Sequence, residues 1–154
     1  MKLRRRGKVY LDTSVISARF DERNPERKSL TESFFAEKGN FETFISEITV
    51  AEIERTPDIE LRSKMKDAVA QFSLLALTDD VERVASEYIR YDAVPAGYPE
   101  DAYHIAIAAI NEIDCLLSWN FRHIVRRKTR DRVRRVNTLN NLRQIEIMTP
   151  AELL

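Results

Sequence analysis

The sequence predicts an α/β fold built on a parallel sheet, and three observations carry that expectation. Short apolar, β-prone runs alternate with segments of helical periodicity along the chain. Alternation of that kind puts helices on both faces of a parallel sheet. The length, 154 residues, suits one domain (residues 1–154) with a substantial core. Finally, the first apolar run, Val9-Tyr10-Leu11, stops abruptly at Asp12. In open parallel sheets the binding crevice lies outside the carboxyl ends of the strands.

The elements follow in order. "KVYL" predicts a strand, and residues 14–20 and 27–38 predict helices, the second with Leu30, Phe34 and Phe35 on one face and Gly39-Asn40 as its stop. "FETFIS" is a second strand. "TVAEIERT" is a short helix halted by Pro57, with Thr49 as N-cap and Glu52 completing a capping box, and residues 58–72 are another helix. "SLLALT" is a strand, and residues 79–92 are amphipathic through Val81, Val84, Ala85, Tyr88 and Ile89. Pro99 opens "EDAYHIAIAAINE", an alanine-rich helix apolar enough to be buried. "DCLLS" is a strand, residues 121–127 a short helix, "QIEIM" the last strand and "TPAEL" a closing helical turn.

Composition narrows the function. The chain is 44% hydrophobic and 32% charged, with no apolar run near the ~18 residues that cross a bilayer, so no membrane partner is expected. The basic start "MKLRRRGK" has no apolar stretch after it, which argues against a signal peptide. Cys115 is the only cysteine, consistent with a reducing cytoplasm and a small core residue. Glycines occur only at 7, 39 and 97, which excludes a GxGxxG turn and a P-loop. The zero net charge conceals asymmetry. Residues 9–121 carry 22 acidic against 11 basic residues, whereas 122–135 carry eight basic against one acidic, and 1–8 carry five more basic residues.

Three carboxylates stand out by position. Asp12 ends the first strand, Glu52 follows the second, and Asp101 opens the buried helix. Asn120 adds a polar oxygen after "DCLLS". Each has a local explanation. Asp12 can cap a helix, Glu52 can close a capping box, and Asp101 can meet a helix dipole. If the segments are neighbours, however, the acids converge. Two carboxylates about 4 Å apart repel by roughly 4 kcal/mol at an effective dielectric near 20, so a proton or a cation must neutralise them. Oxygen ligands suit Mg²⁺ or Mn²⁺, and two histidines with one cysteine make a tetrahedral zinc site hard to build. Such a cation would support hydrolysis of a phosphodiester. A haloacid-dehalogenase-type phosphatase would need an Asp where Ser14 stands, and a receiver domain would need a lysine near a late strand end.

The segments "VYLDTSVIS", "SEITVAEIERT", "PEDAYHIAIAA" and "CLLSWNFRHI" resemble, in order and spacing, the signature segments of PIN domains, most nearly the VapC-type toxin branch. The resemblance runs from about residue 9 to 124, with "IEIMTPAEL" a family-like ending. It implies a three-layer α/β/α sandwich with a central parallel sheet, and a Mg²⁺- or Mn²⁺-dependent ribonuclease. It also implies an antitoxin protein and a homodimer as partners. On the family pattern Asp12, Glu52 and Asp101 match the metal-holding acids, and Thr13 or Ser14 the adjacent hydroxyl. Asn120 falls where many members carry a fourth acid, and His123 where another acid is common; both weaken the case for a second metal. The alternative is a PIN-fold RNA-binding module that has lost cleavage. His104, three residues after Asp101, reads as a packed neighbour of the acids, and Trp119 as a residue packed on the sheet edge. Arg122, Arg126, Arg127 and Lys128 are candidates for holding an RNA backbone that the acidic pocket would repel.

Overall fold

The structure is a computed structural model that describes residues 7–154. Five parallel strands form one sheet in the order β3-β2-β1-β4-β5. β1 (Gly7–Leu11) is central, between β2 (Phe41–Ser46) and β4 (Cys115–Leu117). β3 (Ser73–Leu75) and β5 (Glu146–Met148) form the edges. Eight helices cover the two faces: α1 (Thr13–Ala18), α2 (Pro25–Ala36), α3 (Glu47–Glu54), α4 (Ile59–Val69), α5 (Asp79–Arg90), α6 (Pro99–Ile110), α7 (Arg127–Leu139) and α8 (Pro150–Leu153). The expected three-layer sandwich is therefore present.

Side-chain alternation along β1 explains the two core layers. Tyr10 points into a layer with Val84, Tyr88, Ile105, Leu116, Val136 and Ile147, which seats α5, α6 and α7. Val9 and Leu11 point the other way, onto Val15, Ile16, Phe34, Ile45, Met65 and Trp119. Because both neighbours of β1 are themselves strands, all three residues are essentially inaccessible. α6 is buried from Ala102 to Ala109 except at Tyr103, and its alanines allow close approach to the sheet and to α5.

Two expected elements differ. The helix expected over 121–127 is absent: residues 121–126 are turns and bends, and a full helix, α7, begins at Arg127. Its buried face is Thr129, Val133, Val136 and Asn137, half of it polar, so the apolar period is weak in the sequence. Ser46, not Thr49, caps α3. Its hydroxyl accepts from the Ile48 and Thr49 amides while the Thr49 side chain accepts from the Ser46 amide. The helix starts directly at the strand end, which carries Glu52 out of the capping box.

Three helices end alike. After α5, α6 and α7 the chain turns through Asp92 (φ 59°), Glu112 (φ 54°) and Asn141 (φ 55°), all in the left-handed region without glycine. In each case the following amide returns to a carbonyl five residues back: Ala93 to Tyr88, Ile113 to Ala108 and Leu142 to Asn137. These are Schellman closures, which satisfy carbonyls a helix end would leave bare. Among the described residues no helix is long and apolar enough to cross a membrane. The basic residues at 2–6 lie outside the described residues.

Candidate active site

The site forms at the carboxyl ends of β1, β2 and β4, where the parallel topology delivers three loops to one edge of the sheet. Asp12 follows β1 and is the N-cap of α1. It is 3% exposed, and its carboxylate accepts from the Ser14 hydroxyl (2.5 Å), the Val15 amide (3.3 Å) and the Ser118 hydroxyl (2.5 Å). The two serines are fixed in turn, because Ser14 accepts from the Trp119 amide and Ser118 from the Asn120 amide. Asp12 thus caps a helix and also belongs to a network that joins the ends of β1 and β4.

Glu52 lies in α3 and turns toward the same edge. Its Oε1 accepts from the Thr13 hydroxyl at 2.8 Å and meets His104 Nε2 at 2.7 Å. His104, on α6, is 2% exposed. Its Nδ1 meets the Tyr10 hydroxyl at 2.5 Å, and that hydroxyl also contacts Ser46 Oγ at 2.7 Å. One chain of hydrogen bonds therefore runs from the cap of α3 through Tyr10 and His104 to Glu52. Asp101 sits in the first turn of α6. Its Oδ2 pairs with His123 Nδ1 at 2.9 Å, and its Oδ1 accepts from the Asn120 amide nitrogen at 3.4 Å. Asn120 Oδ1 accepts from the His123 backbone amide.

The electrostatics follow from this packing. Burial raises the Asp12 carboxyl above the ordinary value, with the charge of His104 and the serine hydroxyls opposing it. Asp101 is raised by burial and by the charge of Glu52, against the His123 hydrogen bond and His104. Burial also works to raise Glu52, but its bond to His104, the charge there and the Thr13 hydroxyl bring it below the usual value. Burial disfavours charge on His104; the Tyr10 oxygen, Glu52 and Asp12 outweigh that and hold it well above the ordinary histidine value. Each of the three acids responds to His104. Of the three, only Glu52 is hydrogen-bonded to the imidazole.

The remaining expected residues divide. Thr13 and Ser14 spend their hydroxyls on Glu52 and Asp12. Arg122 is exposed, and Arg127 is exposed with a long contact to Asp131 (3.9 Å). Arg126 is drawn inward, bonded to Thr129 and the Ala93 carbonyl, and Lys128 pairs with Asp92 at 2.7 Å. Trp119 is buried and donates to Thr31. Sequence reasoning passed over Ser118 and Tyr10. Their only signal was position, a hydroxyl within one residue of a strand end.

A PIN-domain model matches residues 9–128. The chain belongs to the PIN-domain family. Two solved structures share the PIN fold with it. One is Mycobacterium tuberculosis VapC20, described as a sarcin-ricin-loop-cleaving toxin, with TM-score 0.58 and 17% identity over 75% of this chain and 92% of that one. The other is VapBC2 from Rickettsia felis, bound to a DNA fragment from its promoter, with TM-score 0.57 and 11% identity over 91% and 96%. No curated protein matches the sequence.

The donor chemistry of this PIN domain fits a hard divalent cation, since Asp12, Glu52 and Asp101 offer only oxygens. Burial raises two of them, Asp12 and Asp101, with the neighbouring histidines acting in the opposite direction. Among the described residues no three acidic, histidine or cysteine groups stand close enough together to ligate one ion. Glu52 and Asp101 are instead each drawn to a histidine.

Proposed function

We propose that this PIN domain is an endoribonuclease that hydrolyses RNA phosphodiesters with Mg²⁺ or Mn²⁺ held by Asp12, Glu52 and Asp101. The observation that carries the reading is that these three acids, from three separate segments, are tied by hydrogen bonds to the same edge of the sheet, Asp12 to Ser118, Glu52 to Thr13 and Asp101 to Asn120. A bound cation would polarise water and neutralise charge at the phosphodiester. The protein's own groups do the positioning. Ser14 and Ser118 fix the Asp12 oxygens, Thr13 and His104 fix Glu52, and Asn120 with His123 fixes Asp101. Arg122 and Arg127 provide exposed positive charge for the RNA backbone, which the acids alone would repel.

An antitoxin segment laid over the acidic edge, and pairing of two copies, belong to the same reading, as does a cytoplasmic location. Co-purification with the product of an adjacent small gene would test the first, and sedimentation the second. A second reading, an RNA-binding PIN domain without cleavage, is favoured by the amide at Asn120 and by the histidines bonded to Glu52 and Asp101. Cleavage of labelled RNA, titrated with Mg²⁺ and Mn²⁺, separates the two. Cleavage that requires the ion and disappears in Asp12→Asn and Asp101→Asn supports the nuclease. RNA binding with no cleavage at any ion concentration supports the module.

A further inference from the structure

The turn that follows β4 carries two aromatic rings of opposite exposure. Trp119 is 8% exposed and Phe121 is 51% exposed, with ring centroids 6.2 Å apart. The Arg27 guanidinium, from the first turn of α2, lies over both, 5.1 Å from the Trp119 ring and 5.6 Å from the Phe121 ring. Nearby charges are spent: Arg23 pairs with Asp21, and Lys28 with Glu32 and Glu22. Among the described residues no carboxylate lies within ion-pair distance of Arg27, and Asp21, paired with Arg23, senses its charge only as a minor contribution, so the guanidinium is held chiefly by the rings.

This turn is tied to the acids. The Trp119 amide donates to Ser14 Oγ, which donates to Asp12, and Asn120, between the two rings, reaches Asp101. Against His123, whose amide donates to Asn120, a second ring is exposed. Tyr98, 49% exposed, lies against His123 with centroids 4.2 Å apart. Half-exposed rings held by a buried neighbour, beside a guanidinium that has no close ion pair, match the chemistry of an unpaired nucleotide, a flat base joined to a phosphate.

We propose that Phe121, backed by Trp119, is a stacking platform for a base of single-stranded RNA, with Arg27 taking the adjoining phosphate. The proposal deepens the ribonuclease reading and rests on it for the choice of RNA as ligand. Phe121 forms the platform face, and Arg27 is fixed by the rings before the strand arrives. Duplex RNA offers no free base face and gains nothing from the platform.

The test is binding without cleavage. Fluorescein-labelled single-stranded oligoadenylate and a matched oligomer of abasic ribose phosphates are titrated into the Asp12→Asn protein in EDTA, followed by anisotropy. The base-bearing strand should bind about tenfold more tightly, a difference of roughly 1.4 kcal/mol and within the range for one base on an aromatic ring. Phe121→Ala should abolish that preference and Phe121→Tyr should retain it, which a purely structural role for Phe121 would not produce. Arg27→Gln should flatten the slope of log affinity against log salt by about 0.7, one phosphate contact. Equal binding of the two strands by the parent overturns the proposal, as does an undiminished preference in Phe121→Ala. An unchanged salt slope in Arg27→Gln overturns the phosphate contact. Because no ion or cleavage enters the measurement, failure of the nuclease reading leaves these results standing, and failure of the platform leaves metal-dependent cleavage untouched.

Discussion

Asp12 is a helix cap and, in the proposed function, also a metal-holding acid. Asparagine caps a helix as well as aspartate does, and burial already works against charge on Asp12. Asp12→Asn should therefore abolish RNA cleavage while the melting temperature of the ion-free protein holds or rises. Asp12→Ala, which loses the cap, should cost about 1 kcal/mol, read by urea denaturation. His104 gives the pH dependence. Its folded value lies well above 6.5, so its charge stabilises the fold fully below about pH 6.5, the value in the unfolded chain, and that contribution is lost as pH rises through the folded value. In EDTA the parent should lose stability from about pH 6.5 upward, and His104→Gln should flatten that decline while lowering overall stability by about 1–3 kcal/mol. Residue by residue, Asp12 was legible because an abrupt polar residue ends its strand, and Asp101 because a charge opens an otherwise apolar helix. Their partners were not. Nothing in a linear sequence tells that Tyr10, Ser46 and His104, far apart in the chain, share one buried hydrogen-bonded line.

At the scale of elements the strands and most helices followed from periodicity, and β2 matches its expected span to the residue. α7 did not, because its inward face mixes Thr129 and Asn137 with two valines and its outward face is dense in arginine. Burial of polar residues depends on partners that only the fold supplies, here the His123 and Ala93 carbonyls for Thr129 and the Tyr88 hydroxyl for Asn137. The basic segment accordingly splits by environment. Arg126 holds the start of α7 to Thr129 and Ala93, so Arg126→Ala should cost about 1 kcal/mol of stability in chemical denaturation. Arg127, its side chain 95% exposed, should leave stability within about 0.5 kcal/mol when replaced by Ala. That variant should instead weaken RNA binding at low salt, measured by anisotropy.

At the scale of the molecule, β1 joins the two core layers, since Tyr10 belongs to one and Val9 and Leu11 to the other. Neither layer can be lost without exposing the strand that also builds the other. Unfolding followed by Trp119 fluorescence, which reports the layer of α1 and α2, should coincide with loss of far-ultraviolet circular dichroism, which reports all helices; separated midpoints would show that the layers come apart independently. The three Schellman closures give the molecule a further property, an untapped reserve for engineering. Each holds a side chain where backbone geometry favours glycine, in a chain with only three glycines. Asp92 repays its strain by binding Lys128 and Arg132, and Asn141 is a residue type that tolerates this conformation. Glu112 has an exposed side chain, and its hydrogen bonds are made by the backbone, the amide to Ala109 and the carbonyl from Arg143. Glu112→Gly should raise stability by a few tenths to about 1 kcal/mol, seen as a higher denaturation midpoint with unchanged RNA binding. Tolerance for destabilising changes at the acidic edge can thus be raised by a substitution at the far end of α6 from Asp101.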